Sequence, residues 1–183
     1  MRDGQAARQS VVVTLGGLPI SGKSTVAKLL AETRPKTVRI ELDGTGIGHV
    51  CQTLSKAERT DLESRDINLE VEDSASVAAN WIERNFDVVL VGLFNKDAVD
   101  SIAAQLDKRV AGIRYYSFAL VPPLSVSLQP RGSRRPDEKE KTFIKSLSKW
   151  FEPHGYRIDN QNQTPQATAE EILRQLPPKY EER

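Results

Sequence analysis

The stretch Gly17-Leu18-Pro19-Ile20-Ser21-Gly22-Lys23-Ser24-Thr25 constrains this chain more than any other nine residues in it. Before it runs Val11-Val12-Val13-Thr14-Leu15, apolar and β-branched without polar alternation. Such a run fits a strand buried on both faces, as in a parallel sheet. After it, Val26, Leu29 and Leu30 recur at helical spacing, with Lys28 and Glu32 on the other side, until Pro35 ends the helix. A glycine-rich turn between a buried strand and a helix offers successive backbone N–H groups and a positive helix end to an anion. Glycine, four residues, then Gly-Lys-Ser is the spacing of a polyphosphate-binding loop, and the strand before and helix after supply its context. Gly17 and Gly22 permit tight turning. Lys23 supplies a charge between the outer phosphates, and the Ser24 hydroxyl a ligand for Mg²⁺. Leu18, Pro19, Ile20, Ser21 and Thr25 complete the predicted cradle. Ile20 stands where related loops often carry glycine, so a negative φ is expected there.

Which kind of nucleotide protein this is depends on the carboxylates nearby. Motor ATPases and GTPase switches carry an acid at the end of a neighbouring buried strand. The second buried run, Asp87–Leu93, continues Phe94-Asn95 and has its acid at its beginning. The chain contains no Asn-Lys-x-Asp guanine-reading segment. By contrast Thr37-Val38-Arg39-Ile40-Glu41-Leu42 alternates apolar and charged residues, as an edge or near-edge strand does, and ends at Asp43-Gly44. Ligands of open parallel sheets sit outside the carboxyl ends of the strands, so the cradle and Asp43 are expected to face one crevice. A carboxylate there takes the proton of an acceptor hydroxyl or aligns it, or reaches the metal through water. Asp-Gly is also a common turn pair. A third feature is the basic loop Pro130-Arg131-Gly132-Ser133-Arg134-Arg135-Pro136. Forked guanidinium donors suit the charge gathered on a transferred phosphoryl group. Closure of such a loop would exclude water.

The remaining pattern alternates strands with helices. Ser55-Lys56-Ala57-Glu58 is a capping box, opening a polar helical stretch that runs to about Asn85. Asp97 to about Leu106 reads as helix and Tyr115–Val121 as strand, punctuated by Pro122-Pro123. Asp137–Phe151 reads as helix with Phe143, Ile144, Leu147, Trp150 and Phe151 as its apolar stripe. Tyr156–Asp159 is a short last strand, and Thr164-Pro165 opens a final helix. This order predicts an α/β layer fold with a mainly parallel sheet.

At 183 residues the chain suits one well-buried core. The expected organisation is a single domain over 1–183, with 1–10 a flexible start, about 122–150 a lid and lid helix, and 177–183 a charged tail. A formal net charge of +1 gives no global attraction to nucleic acid or membrane. No apolar run approaches the ~20 residues that span a bilayer. With one cysteine, Cys51, and two histidines, His49 and His154, no disulfide or metal-ligand cluster is expected, and a cytoplasmic protein is.

The order of these parts resembles the small P-loop kinases of the nucleoside-monophosphate-kinase-like superfamily: the cradle, the acid after strand two, the Arg-rich lid, then Tyr156-Arg157-Ile158-Asp159 and the Thr164-Pro165 helix. Leu42-Asp43-Gly44, with His49 and Leu54-Ser55 beyond, is similar to adenylylsulfate kinase, although Thr45 replaces that family's second acid. Arg131–Pro136 and Lys149-Trp150-Phe151-Glu152-Pro153 resemble the polynucleotide-kinase and zeta-toxin-like branch. The resemblance implies a three-layer fold with a five-stranded, mainly parallel sheet in which strand two is an edge. It also implies ATP, or another nucleoside triphosphate, with Mg²⁺, and transfer of the γ-phosphoryl to a hydroxyl.

The acceptor is expected between Asp43, Gly44, residues of about 45–75, and the lid. Between Glu58 and Asp73 lie Glu58, Asp61, Glu63, Asp66, Glu70, Glu72 and Asp73 against only Arg59 and Arg65. That balance disfavours a nucleic-acid strand, whose affinity comes largely from Lys and Arg at phosphates. Arg59 and Arg65 are candidate substrate anchors. The reading is therefore a kinase of a small hydroxylated metabolite or nucleotide-like acceptor. The alternatives are a polynucleotide 5′-hydroxyl kinase and a non-catalytic nucleotide-binding module.

Overall fold

The computed structural model describes residues 9–42, 71–129, 135–149 and 151–178. Five strands form one sheet: β1 (Val11–Gly17), β2 (Thr37–Glu41), β3 (Asp87–Val91), β4 (Arg114–Leu120) and β5 (Tyr156–Ile158). Their spatial order is β2-β3-β1-β4-β5, and every neighbouring pair is parallel. The helices are α1 (Lys23–Thr33), α2 over 71–82, α3 (Lys96–Asp107), α4 (Leu124–Ser127), α5 (Glu138–Leu147) and α6 (Pro165–Gln175).

The unbroken apolar run of β1 becomes the centre of the sheet because both its faces are covered. Val11, Val13 and Leu15 point into a core shared with Val26 and Leu30 of α1 and Ala169 and Ile172 of α6. Val12 points the other way, into a core built by Ala75, Ala78 and Ile82 of α2 and Ile102 and Leu106 of α3. β3 divides likewise, with Val89 and Val91 on the first face and Val88 and Leu90 on the second. The two-residue side-chain period of a strand thus serves two helix layers, and the result is three layers. The expected α/β fold is what forms. β2, with its alternating pattern, lies at the sheet edge as expected. Thr164 caps α6, its hydroxyl accepting from the Ala167 N–H at 3.1 Å with Pro165 in the first turn.

Three elements depart from the sequence reading. Helix α5 ends at Leu147 rather than Phe151, and Phe143 is 54% exposed, so within the helix the buried stripe is Ile144 and Leu147; Trp150 lies outside the described residues. Near its end, Ser146 and Ser148 hydroxyls donate back to the carbonyls of Phe143 and Lys145, and Pro153 follows shortly after. Such hydroxyls offer backbone carbonyls a local alternative to continuing the helical ladder. The short helix α4 after Pro122-Pro123 has no counterpart in the sequence reading. The capping box at Ser55 and the first part of its helix lie outside the described residues, where α2 is seen only over 71–82.

At the amino ends of the strands, Asp87 is 2% exposed and accepts from the Val11 N–H at 3.0 Å and from Arg34 Nε at 2.7 Å. Arg34 Nη1 donates onward to the Pro177 carbonyl at 2.8 Å. A buried carboxylate is thus met by a cation and a backbone donor together, the condition under which a charge survives burial.

Candidate active site

The loop between β1 and α1 turns at Gly17, whose φ is +140°. A Cβ on Gly17 would lie 2.5 Å from the Leu120 carbonyl oxygen and 2.9 Å from Ser21 Oγ, so only glycine fits this approach of the loop to β4. The Ser21 N–H returns to the Leu18 carbonyl at 3.2 Å. Gly22 adopts a left-handed φ of +95°, and its carbonyl accepts the first helical bond from Val26 at 3.0 Å. Lys23 is 5% exposed, and its Nζ donates to the Leu18 carbonyl at 3.0 Å. The lysine is therefore folded over the loop rather than extended into solvent. Ser24 and Thr25 are exposed on the first turn of α1.

Ile20 corrects an expectation. Its φ is +66°, not negative, and its side chain is buried. A β-branched residue in this region is strained because Cβ crowds the backbone. The loop keeps the left-handed bend that glycine provides elsewhere and imposes it on an isoleucine.

The helix ends differ in a way that bears on ligand binding. Asn95 caps α3 through Ala98 N–H, Asp137 caps α5 through Glu140 N–H, and Thr164 caps α6. At α1 the capping position is Gly22, no side chain caps the helix, and its first turn holds no acid. Its leading N–H groups have no intrahelical partner by construction, and among the described residues no side chain caps them. A buried lysine beside a helix end without a side-chain cap fits a polyphosphate, and Ser24 is an exposed hydroxyl of the type that could hold a divalent cation.

The parallel register sets the cradle's surroundings. Leu15 and Glu41 are both level with Val91, and the Leu42 N–H bonds the Val91 carbonyl at 2.9 Å. The carboxyl end of β2 therefore lies at the same sheet edge as the cradle, two strands or roughly 10 Å away. Asp43 and Gly44 follow in sequence and lie outside the described residues, as do Arg59, Arg65, Arg131 and Arg134. Arg135 is described and exposed, ahead of α5. At the end of β3, Asn95 spends its side-chain oxygen on the cap of α3, and Phe94 is buried. Among the described residues, no carboxylate stands where a motor or switch would place one.

Several neighbours of the cradle were not legible in the sequence. Arg39 of β2 donates from Nη1 to the Ser24 carbonyl at 3.1 Å and pairs with Glu41 at 3.1 Å, tying the edge strand to the start of α1. Asn160, beyond β5, donates from Nδ2 to the Ser21 carbonyl at 2.9 Å. A cavity of about 180 Å³ adjoins the loop at Leu18 and is lined by Leu120, Ser127, Phe151 and Arg157 among others. The apolar pattern identifies which residues are buried, but not these pairings across distant segments.

No protein-family model matches the sequence, and no curated protein matches it. Solved structures do. An unliganded sugar kinase from Janibacter sp. HTCC2649 is similar at a TM-score of 0.61, with 15% identity over 91% of this chain and 94% of that one. A gluconokinase from Sinorhizobium meliloti 1021 matches at 0.58, with 16% identity over 90% and 93%. The APS kinase CysC of Mycobacterium tuberculosis, solved with AMPPNP and APS, matches at 0.56, with 18% identity over 91% and 96%. The chain has the P-loop kinase fold. Among the described residues, no helix is long and apolar enough to cross a membrane.

Proposed function

We propose that this chain is an ATP-dependent phosphotransferase that moves the γ-phosphoryl group to a hydroxyl of a small metabolite or nucleotide-like acceptor. The observation that carries this reading is the uncapped amino end of α1 beside the buried Lys23, at the sheet edge where the sequence continues into Asp43. Backbone N–H groups of the loop and Lys23 would hold the β- and γ-phosphates in place. The Ser24 hydroxyl would hold Mg²⁺, with Asp43 a further contact through water, and such an ion would supply charge neutralisation for the transferred group. Asp43 would take the proton of the acceptor hydroxyl or align it for in-line attack, and the bond from the γ-phosphorus to the leaving nucleoside diphosphate would break as the new P–O bond forms. Arg131, Arg134 and Arg135, in a lid and lid helix over about 122–150, would stabilise the charge on the transferred group. Gly44, Arg59 and Arg65 are assigned to the acceptor side.

The acid-poor end of β3 supports transfer over a motor or switch. The acceptors named for structural neighbours, a sugar, gluconate and APS, are small. They support a small-molecule hydroxyl over a nucleic acid, and a single domain using cytoplasmic ATP completes the reading. The test is ligand-dependent thermal stability. Mg-ATP is expected to raise Tm in the wild type and to have no effect on Lys23→Ala. Asp43→Asn should still be stabilised by Mg-ATP while losing transfer. Absence of stabilisation in the wild type would overturn the reading.

A further inference from the structure

We propose that Asn160 is a positioning residue of the cradle, fixing the plane of the Ser21–Gly22 peptide so that the Gly22 N–H faces a bound di- or triphosphate. The inference rests on the reading of the loop as a polyphosphate site. Asn160 follows β5 in the connection to α6 and is 5% exposed. Its Nδ2 donates to the Ser21 carbonyl at 2.9 Å in a buried bond, across a sequence separation of 139 residues. A trans peptide is planar, with its C=O and N–H pointing in opposite directions. Holding the Ser21 carbonyl from one side therefore aims the Gly22 N–H to the other.

The rest of the loop backbone agrees with this role. The Leu18 carbonyl takes Lys23 Nζ and the Ser21 N–H, and the Gly22 carbonyl takes Val26 N–H. The Ser21 carbonyl lies between them in the turn, and an inward rotation of its peptide would present it to the phosphate oxygens, acceptor against acceptor. Asn160 is the side chain that withdraws it. The amide packs directly on the turn, since a Cβ on Gly22 would lie 3.6 Å from Asn160 Nδ2. Gly22, at φ +95°, has the freedom to rotate this peptide that a side-chain-bearing residue lacks.

A packing role alone does not account for the amide. Among the described residues, buried Asn160 Oδ1 has no hydrogen-bond partner, and neither has Ser21 Oγ. Buried unpaired acceptors are rare because desolvation is not repaid. An apolar side chain of the same size would fill this space without that loss, but it could not hold the carbonyl.

This contrast sets the experiment. Inorganic tripolyphosphate and Mg-ATP are titrated calorimetrically into the full chain and into Asn160→Leu and Asn160→Ala, with Tm measured for each. Asn160→Leu keeps the branched shape of the side chain and removes the orphaned oxygen while leaving the Ser21 carbonyl unpaired in its place, so Tm should stay close to wild type. Affinity for both ligands should fall about 10- to 100-fold, as expected for loss of a peptide N–H aimed at a charged group. Asn160→Ala should lose the same affinity. Wild-type affinity in folded Asn160→Leu and Asn160→Ala overturns the assignment while leaving the phosphate reading intact. A wild type that binds neither ligand overturns both. Loss of fold in both variants overturns the assignment in favour of a structural role.

Discussion

The two ends of the same five strands are built by opposite rules. At the amino ends, Asp87 is buried and fully engaged, by the Val11 N–H and by Arg34, which in turn holds the Pro177 carbonyl. At the carboxyl ends, Ser21 Oγ and Asn160 Oδ1 are buried without partners among the described residues, Ile20 is held at φ +66°, and α1 begins without a side-chain cap. Asp87, Ser21 and Asn160 are all buried, so burial does not separate the two ends. What separates them is satisfaction. The amino end closes its polar accounts within the protein, while the carboxyl end keeps strain and unpaired groups that a folded scaffold must hold against their tendency to relax. An end of the sheet prepared for an anionic ligand is expected to look this way.

Four substitutions, with a fifth as control, break or sharpen that contrast. The largest effect is expected at the amino end. Arg34→Leu leaves Asp87 buried without its cation, and about 3–5 kcal/mol of stability should be lost. Urea denaturation measures this, and nucleotide affinity of the folded fraction should be unchanged. If stability held while affinity fell, the two ends would not be separable. Lys23→Ala should do the converse. Transfer should fall by about 10²–10³-fold, the scale for losing one preorganised charge at a developing anion, with the unfolding midpoint in urea close to wild type. Steady-state rates with saturating acceptor decide it.

The other two effects are smaller. Thr164→Ala removes the hydroxyl that accepts from Ala167 N–H and should cost about 1 kcal/mol. As a fully satisfied cap, it belongs with the amino-end rule although it sits beyond β5. Ile20→Gly is expected to be nearly neutral, within about 1 kcal/mol of wild type. The burial lost, about 1.5–3 kcal/mol, is offset by relief of left-handed strain of about 1–2 kcal/mol. Ile102→Ala is the control. That side chain is 1% exposed in the regular helix α3, where truncation costs about 2–5 kcal/mol. A loss at Ile20 as large as at Ile102 would mean that the loop is not strained.

Much of the architecture was legible because it is written in local periodicity. The unbroken Val11–Leu15 run becomes a strand covered on both faces, and the alternating Val38–Leu42 segment becomes the sheet edge. The Thr164-Pro165 pair opens a helix as read. The turn between β1 and α1 was legible because Gly17 and Gly22, two of its left-handed positions, are set by the residue spacing itself. Where the reading failed, geometry beyond the local pattern decided. The stripe on α5 was drawn too wide, since residues 143 and 144 are adjacent in sequence but about 100° apart around a helix, and only Ile144 faces the core. The sign of φ at Ile20 is set by the whole loop, including the close packing of Gly17 on Leu120, rather than by the preference of isoleucine. Arg34 with Asp87, Arg39 with Ser24, and Asn160 with Ser21 are long-range pairings of common polar residues. No spacing rule singles them out. Asp43 and most of the basic loop remain expectations from sequence, since they lie outside the described residues.

The most direct test of the central claim is transfer of label from γ-³²P-ATP. The purified chain is offered sugars, gluconate, other small alcohols, nucleosides, adenylylsulfate and 5′-hydroxyl oligonucleotides, with Asp43→Asn and Lys23→Ala in parallel. Label should appear on a small hydroxylated acceptor with the wild type and with neither variant. Label on oligonucleotides alone would contradict the proposed acceptor, and label released only as inorganic phosphate would contradict phosphoryl transfer as the function of the site.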